Sequence, residues 1–364
     1  MKILVWPGTN AGDGNPYIGL LYEPMRTMGH TVEDFRFLKA LFRKYDILHF
    51  HWPEYYVANC NPPKALAGSL AILLAMAWAR LRGTKIVWTA HNLKSHHGPR
   101  PRAEDWFWHA FVKSLDAFIA MTESGCNEAQ EAFPCLRDCA SFVIPHGNYR
   151  GEYPNEASNR EARGILGIPV DAQVICFLGR ISQYKGVPDL ISTFRQLGDS
   201  NARLVIAGEC EVSEEMDVLS LLASADKRIA LHLGFVPKER VQHYLNAADL
   251  AVMPFRKIWN SGSVMLALSF NCPVLVPARA AFLELQKQVG AEWIRTYGNE
   301  LTVEELEGAL AWATKTPRSC LAPLERFEWK QIADETFRSY AVLTKRKNAE
   351  RAARRFEESS QRTG

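Results

Sequence analysis

The sequence predicts an α/β protein made of two doubly wound domains, each a parallel sheet with helices, that face each other across a cleft. Short apolar runs of strand length alternate with helical segments along the chain, and this alternation is typical of parallel sheets covered by helices on both faces. The chain has 364 residues, too many for one ordinary hydrophobic core. A polar, turn-rich stretch at 149–155 interrupts the pattern. We therefore predict a first domain at 1–150, a second at 151–328, and a closing helix with a basic tail at 329–364.

The strand candidates are apolar runs separated by turns and helical segments. In the first half of the chain they lie at 2–6, 47–50, 85–89, 117–121 and 142–144. In the second half they lie at 174–178, 203–207, 229–231, 250–253 and 274–276. Doubly wound sheets bind their ligands beyond the carboxyl ends of the strands, so we expect the functional residues in the loops that follow these strands.

Composition and charge argue against several classes of protein. The net charge of +3 is too small to indicate nucleic-acid binding, and the basic residues near the end predict a solvated tail, with an anionic surface as second choice. Eight cysteines are scattered without a C-x-x-C pair, which argues against structural zinc and favours reduced thiols in the cytoplasm. The apolar start of the chain is interpreted as a strand and not as a signal peptide.

The most apolar segment covers 65–79 and is bounded by Lys64 on one side and by Arg80 and Arg82 on the other. We expect it to be too short to span a membrane, and a buried core helix is the favoured interpretation. The alternative is a helix that lies in a membrane interface, held by these cations and by Trp78. That alternative predicts peripheral association with the inner face of the plasma membrane.

The most informative motif is a basic turn between two glycines. Gly179-Arg180-Ile181-Ser182-Gln183-Tyr184-Lys185-Gly186 follows one apolar run and precedes a helical segment. Glycine lets the backbone approach an anion, and two cations on one turn can hold a diphosphate. The simpler interpretation is a solvated basic loop after a core strand.

The spacing of Arg180 and Lys185 resembles the G-R-x-x-x-x-K-G signature of nucleotide-sugar glycosyltransferases with the GT-B fold, which has two Rossmann-like domains. Further motifs resemble glycosyltransferase family 4 in order and spacing. They are Val143-Ile144-Pro145-His146-Gly147-Asn148, Leu204-Val205-Ile206-Ala207-Gly208-Glu209, Leu233-Gly234-Phe235-Val236-Pro237, Tyr244-Leu245-Asn246-Ala247-Ala248-Asp249-Leu250, and Phe327-Glu328-Trp329 with Tyr340. The resemblance implies that the second domain binds a nucleotide-sugar donor through Gly179, Arg180 and Lys185.

One departure from family 4 bears on the reaction. The family carries a glutamate pair, E-x7-E, at positions where this chain has Ile258 and Leu266. Because that pair helps the retaining enzymes hold the donor, its loss favours an inverting reaction. The loop instead contains Ser261-Gly262-Ser263 at a helix start, which offers N–H groups and hydroxyls to a phosphate or is an ordinary N-cap. Glu284 falls where the family has a donor-binding glutamate, and a surface helical glutamate is its alternative.

The first half matches the family through three loops. Gly12-Asp13-Gly14 follows the first strand and resembles the glycine-rich loop that approaches acceptor and donor. His51-Trp52-Pro53-Glu54 follows the strand at 47–50 and resembles bacterial exopolysaccharide glycosyltransferases, including the inverting β-1,4-mannosyltransferases of xanthan-type pathways. Thr89-Ala90-His91-Asn92 follows the strand at 85–89 and resembles the "T-x-H-D/N" sequence, whose histidine touches the donor sugar in the family.

These resemblances imply a glycosyltransferase that moves a sugar, with mannose from GDP-mannose as the best candidate, onto a glycan or polyprenyl-linked acceptor. The candidate general bases are Asp13 first, then Glu54 and His91, with Glu123 interpreted alternatively as a helix start. Gly12, Gly14, His51 and Trp52 are assigned to the acceptor side. The cations and the helix start can stabilise the leaving diphosphate, so we predict no metal and no cofactor. A retaining family 4 enzyme, a nucleotide-sugar epimerase or hydrolase, and an inactive sugar-binding protein remain alternatives.

Overall fold

The computed structural model describes residues 1–8, 16–54, 62–93, 101–256 and 262–360, with only the backbone described for residues 62, 101–104, 214 and 346–360. The chain divides into two compact units. The first unit combines Met1–Gly147 with Phe327–Gly364, and the second is Asn148–Arg326.

The first unit contains one parallel sheet with helices. Its strands are β1 (Lys2–Trp6), β2 (Thr31–Asp34), β3 (Ile47–Phe50), β4 (Lys85–Thr89), β5 (Ala117–Ala120) and β6 (Ala140–Val143), in the spatial order β2-β1-β3-β4-β5-β6. Its helices are α1 (Tyr17–Thr27), α2 (Phe37–Phe42), α3 (Pro62–Leu81), α4 (Pro101–Lys113) and α5 (Glu123–Ala132), followed at the end of the chain by the helix Trp329–Ser360. Glu123 begins α5 directly after the N-cap Thr122, whose hydroxyl accepts from Gly125 N. This position agrees with the interpretation of Glu123 as the start of a helix.

The second unit contains the other parallel sheet. Its strands are β7 (Gln173–Leu178), β8 (Ala202–Gly208), β9 (Ile229–Leu233), β10 (Leu250–Val252), β11 (Val274–Pro277) and β12 (Ile294–Tyr297), in the spatial order β12-β11-β10-β7-β8-β9. Its helices are α6 (Asn159–Leu166), α7 (Val187–Phe194), α8 (Ser213–Ser224), α9 (Val241–Ala247), α10 (Gly262–Ser269), α11 (Ala280–Val289) and α12 (Val303–Lys315). The C-terminal helix Trp329–Ser360 of the first unit is therefore α13.

The predicted α/β class with two parallel sheets is confirmed. Two strands, β2 and β12, were not predicted from the sequence, and both were missed for the same reason. Strands β2 and β12 each form an edge of their sheet. Their sequences, Thr-Val-Glu-Asp and Ile-Arg-Thr-Tyr, are partly polar and partly exposed, whereas β3, β5 and β10 are buried throughout. Polar residues interrupt the apolar run in β2 and β12, whereas the other two edge strands, β6 and β9, keep short apolar runs that the sequence reveals.

Helix α3 corrects the expectation that no segment is long enough to span a membrane. Within α3, the 19 residues Pro63–Leu81 have a mean hydropathy of 1.4 and are long and apolar enough to cross a membrane by length and composition. The expectation was wrong because the helix continues beyond 65–79 at both ends. Only 33% of this window is buried inside the fold, which is less than a fully buried core helix requires. One such helix is still weak evidence for a span, because other kinds of helix pass the same test.

Helix α13 packs against α1 in the core of the first unit. Trp329, Ile332 and Tyr340 of α13 are buried in one apolar cluster with Tyr17 and Tyr22 of α1. A Cβ atom at Gly147 would collide with the Trp329 ring, so this glycine lets the start of α13 approach the end of the first polypeptide segment. The packing brings two tyrosines of α1 and one of α13 next to the carboxyl ends of the strands.

Candidate functional site

In the second unit, the loops after β7 and β8 meet at the carboxyl edge of the sheet. Gly179 and Gly208 have φ angles of 145° and 150°. A Cβ atom at Gly208 would collide with the carbonyl oxygen of Gly179, so this close approach requires a glycine there. A parallel bridge between Ile181 and Cys210 then joins the two loops. The basic turn is thus held in place by backbone contacts on the β8 side.

Arg180 and Lys185 lie in this turn, and Glu211 of the loop after β8 contacts Arg180, a contact that sequence reasoning missed. The Arg180 side chain is mostly exposed, and its Nε atom is 3.4 Å from Oε1 of Glu211. Lys185 is only 9% exposed, and its Nζ atom lies 4.5 Å from the centre of the Phe255 ring. Burial lowers the pKa of Lys185 to about 8, while the charge of Glu211 acts in the opposite direction. The turn therefore presents one exposed cation and one largely desolvated cation.

The first turn of α10 packs against the same loop. A Cβ atom built on Gly179 would lie 3.0 Å from Oγ of Ser263, which places the Ser263 hydroxyl beside the backbone of the basic turn. Gly262 is the first residue of α10, and Leu266 lies in the same helix. Ser261 and Ile258 fall outside the described residues.

Glu284 lies in α11 and is half-buried. The helix follows β11, whose carboxyl end is at the same edge of the sheet as that of β7 because all strands of this sheet run parallel. This position agrees both with a donor-binding glutamate and with an ordinary glutamate on a helix surface.

In the first unit, a buried network of histidine and tyrosine side chains lies at the carboxyl edge of the sheet. Its centre is His49 of β3, which is fully buried. His49 Nδ1 lies 2.6 Å from the hydroxyl of Tyr22 and 2.5 Å from the hydroxyl of Tyr340. His49 Nε2 lies 2.8 Å from Oγ1 of Thr89. The network therefore connects β3 to β4, to α1 and to α13.

The network continues outward from Tyr22 to the two histidines predicted from sequence. The Tyr22 hydroxyl is 2.9 Å from Nε2 of His51, and Nδ1 of His51 is 3.1 Å from Nε2 of His91. Burial lowers the pKa of His51 to about 3. Burial and the neighbouring histidines also hold the pKa of His49 and of His91 well below the usual value. All three imidazoles are therefore neutral near pH 7.

Aromatic rings enclose the outer end of this network. The ring of Trp52 stacks on His91 with centres 4.2 Å apart and an angle of 23° between the planes. Tyr17 meets His91 edge-on at 4.7 Å and also contacts His146 and Trp329, each at 5.1 Å. These rings exclude water from the imidazoles and fix the orientation of His91.

The structure brings together three of the residues assigned to the first domain, His51, Trp52 and His91, at one edge of the sheet. Glu54 follows on the same loop and is half-buried. Gly12, Asp13 and Gly14 lie outside the described residues. Among the residues that the structure describes, no group of three or more His, Cys, Asp or Glu side chains is placed to hold a metal ion.

Sequence reasoning missed the inner part of the network, which is formed by Tyr22, His49 and Tyr340. His49 and His51 alternate with Phe50, so both project to one side of the chain, and this is the only sequence signal for His49. Tyr22 and Tyr340 are 318 positions apart, and no local pattern links them.

Comparison with known proteins agrees with this architecture. Residues 158–294 match the family of glycosyl transferases group 1. Two proteins from Xanthomonas campestris pv. campestris, both named GDP-mannose:glycolipid 4-beta-D-mannosyltransferase, are 28% and 27% identical over 328 residues, which cover 90% of this chain and 88% of each relative.

Solved structures share the fold of the chain at low sequence identity. Anabaena Alr3699/HepE, solved in complex with UDP-glucose, has a TM-score of 0.64 at 14% identity. The match covers 97% of this chain and 100% of the HepE chain. WaaG, a glycosyltransferase involved in lipopolysaccharide biosynthesis, has a TM-score of 0.60 at 16% identity, covering 92% of this chain and 94% of its own. The resemblance read from the sequence motifs is confirmed.

Proposed function

We propose that this chain, in which residues 158–294 match the family of glycosyl transferases group 1, is a glycosyltransferase that transfers mannose from GDP-mannose to a glycolipid acceptor. The observation that carries the proposal is the similarity to the two Xanthomonas mannosyltransferases, which runs through 90% of the chain. It extends through both units and is not limited to the donor-binding half. Such an enzyme extends a lipid-linked glycan, in keeping with exopolysaccharide synthesis.

We propose that the reaction inverts the anomeric centre. A β-linked product formed from the α-linked sugar of GDP-mannose requires attack of the acceptor oxygen on C1 from the face opposite the diphosphate. The new C1–O bond forms as the bond to the phosphate oxygen breaks, GDP leaves with the electron pair, and a base takes the acceptor proton. Ile258 and Leu266 support this proposal, because neither can replace the carboxylate pair of the retaining family.

We propose that the loop after β7 binds the diphosphate. Arg180 and Lys185 supply two positive charges, and Ser263 and the N–H groups at the start of α10 supply neutral donors. The Arg180 side chain is mostly exposed, and its Nε atom lies 3.4 Å from Glu211, so this pair is weak. A diphosphate with two or more charges can therefore displace the carboxylate. These groups can stabilise the departing GDP without a divalent ion.

The general base is proposed to come from the first unit. Asp13, between two glycines, remains the first candidate, and Glu54 is the second, three residues after His51 in the same loop. His91 is the third candidate. A base positioned within hydrogen-bonding distance of the acceptor hydroxyl contributes on the order of 10² to 10⁴ in rate.

We propose that the protein docks on a membrane through an exposed apolar face of α2 and α3. The face contains residues with large exposed side chains, Leu38, Phe42, Leu66, Leu70, Leu74, Trp78 and Leu81. Phe42, Leu74 and Leu81 are 77%, 68% and 82% exposed. The opposite side of α3, with Ile72 and Met76, is buried in the first unit.

The two helices form one continuous surface, and its charge favours an anionic bilayer. Trp78 Nε1 and Arg82 Nη1 both donate to the carbonyl oxygen of Leu41, at 2.9 and 2.6 Å, which ties the end of α3 to the end of α2. Lys44, Lys64 and Arg80 are exposed around the face. Apolar insertion with a cationic rim is typical of interfacial helices, and each cation near an anionic surface adds about 1 kcal/mol. This placement would bring the enzyme to a membrane-bound glycolipid.

The proposed function is tested by measuring donor consumption with purified protein, polyprenyl-linked oligosaccharide acceptor and a panel of GDP- and UDP-sugars. We expect GDP release from GDP-mannose only when acceptor is present, with mannose recovered on the lipid. Consumption without acceptor would indicate an epimerase or hydrolase, and binding without turnover would indicate an inactive sugar-binding protein.

A further inference from the structure

The contacts of the buried network favour one tautomer of His49. A ring nitrogen carries either a hydrogen or a lone pair, and a neutral imidazole has one of each. Two hydroxyl oxygens, of Tyr22 and Tyr340, lie within 2.6 Å of His49 Nδ1. If Nδ1 carried a lone pair, it could accept from one hydroxyl and would face a lone pair of the other oxygen. An Nδ1–H group shared by both oxygens avoids this repulsion, and Thr89 then donates to Nε2.

The positions of the hydroxyl hydrogens of Tyr22 and Tyr340 determine whether Tyr22 donates to His51 or accepts from it. With His49 Nδ1–H donating, the Tyr22 hydroxyl can donate to His51 Nε2 at 2.9 Å, while the Tyr340 hydroxyl donates to the Tyr22 oxygen at 3.4 Å. In the reverse arrangement, His51 Nε2–H donates to Tyr22, and Tyr22 donates to Tyr340. The hydrogen of Tyr340, which is fully buried, would then have no acceptor among the described residues, at a cost of about 1–3 kcal/mol.

The direction of donation that begins at Tyr22 continues from His51 to His91. Since His51 accepts at Nε2, its hydrogen is on Nδ1 and is donated to Nε2 of His91 across 3.1 Å. The hydrogen of neutral His91 is therefore on Nδ1. No partner for this nitrogen occurs in the part of the chain that the structure describes, and it is not among the fully enclosed polar atoms that lack a partner. His91 Nδ1–H is the open end of the network.

We propose that Tyr22 and His51 are positioning residues that hold His91 as a hydrogen-bond donor toward a substrate oxygen, so that His91 is not the general base. The inference rests on the proposed function, because the oxygen belongs to a sugar hydroxyl or to a phosphate of the donor. Both ring nitrogens of His91 are then committed, Nε2 as an acceptor within the network and Nδ1 as a donor. The base role falls to a carboxylate, Asp13 or Glu54.

The tautomer is tested directly by ¹⁵N NMR of the histidine side chains in the full-length protein at pH 7.5, with His91 assigned through the spectrum of His91→Gln. We expect His91 to carry its hydrogen on Nδ1 in the wild type. In Tyr22→Phe the hydroxyl that donates to His51 is lost, so we expect the Nδ1–H forms of His51 and His91 to lose their preference over the Nε2–H forms. An Nε2–H tautomer for wild-type His91 would overturn the inference, and this result does not depend on which substrate is used.

A matched pair of substitutions tests the role in turnover. Asn at position 91 keeps an N–H donor near the place of Nδ1 and has no basicity, whereas Asp supplies a basic oxygen and no donor. We expect His91→Asn to keep kcat within about tenfold and His91→Asp to lose about 10²-fold, the usual effect of removing one donor to a developing charge. The reverse order would assign His91 as the base.

The location of the accepting oxygen follows from two binding measurements on His91→Asp. Weaker binding of GDP alone would indicate a phosphate oxygen, and unchanged GDP binding with weaker binding of GDP-mannose would indicate a sugar hydroxyl. Ser339→Ala serves as the control for Tyr22→Phe, because it removes a buried hydroxyl of α13 that donates to the carbonyl oxygen of Thr336 and takes no part in the network. A smaller loss of kcat is expected for Ser339→Ala than for Tyr22→Phe, and equal losses would contradict the path.

Discussion

Replacing Lys185 by Met should make the protein more stable and at the same time weaken donor binding. The pKa of Lys185 is about 8 instead of the ordinary 10.5, and this difference corresponds to about 3 kcal/mol of unfavourable free energy for carrying the buried charge at neutral pH. The unfolded chain binds more protons than the folded one between these two values, so the stability of the wild type rises with pH from about 8 to 10.5. Methionine preserves the apolar stem and removes the charge.

The cost in binding comes from the charge that methionine removes. A hydrogen bond from an ammonium to a phosphate contributes about 1.5–3 kcal/mol, so the Kd for GDP should rise by about 10- to 150-fold at pH 7. The wild-type affinity should also fall as the pH rises above 8, because the free protein loses the proton that the diphosphate needs.

Urea unfolding without ligand and calorimetric titration with GDP measure the two effects. Lys185→Met should show a free energy of unfolding at pH 7 that is higher by up to about 3 kcal/mol, together with the weaker Kd. Lys287→Met, which removes an exposed cation from α11, should leave both quantities nearly unchanged. A variant that is less stable and still binds GDP like the wild type would refute the reasoning from the buried charge.

Three further predictions concern the base, the membrane and the metal. Asp13→Asn should abolish turnover while GDP-mannose binding persists. If Glu54→Gln abolishes turnover and Asp13→Asn does not, Glu54 is the base. If both variants remain active, neither carboxylate is the base. Leu74→Glu should reduce flotation with anionic vesicles at low salt, whereas Leu221→Glu, at an equally exposed leucine of α8, should not; equal flotation of both variants would argue against the apolar face. EDTA should leave the rate unchanged, and a loss restored by Mg²⁺ or Mn²⁺ would show that the cations of the β7 loop are insufficient.

The sequence predicts the central strands of both sheets because each is a continuous apolar run, as in β3 or β10. It does not predict the edge strands β2 and β12, where polar residues interrupt the run. It also underestimates α3, because the ends of a helix depend on local packing and capping more than on apolar content.

For the site, too, the sequence predicts the residues whose local surroundings indicate their position, but not the partners that come from distant parts of the chain. Gly179, Lys185, His51 and His91 lie in loops whose own sequences indicate their position after a strand. Glu211 contacts Arg180 only because a bridge at Ile181 and Cys210 joins two separate loops. Tyr340 reaches His49 from a helix at the other end of the chain, with 291 positions between them. Tertiary packing supplies these partners, and no spacing in the sequence encodes them.

The central claim is inverting transfer of mannose, and the anomeric configuration of the product tests it most directly. The product formed from GDP-mannose and a glycolipid acceptor is isolated, and the configuration of its new mannosyl residue is determined by NMR. The account predicts a β-linked mannose, because Ile258 and Leu266 stand where the retaining family has its glutamate pair. An α-linked mannose would contradict it and would place the enzyme with the retaining glycosyltransferases.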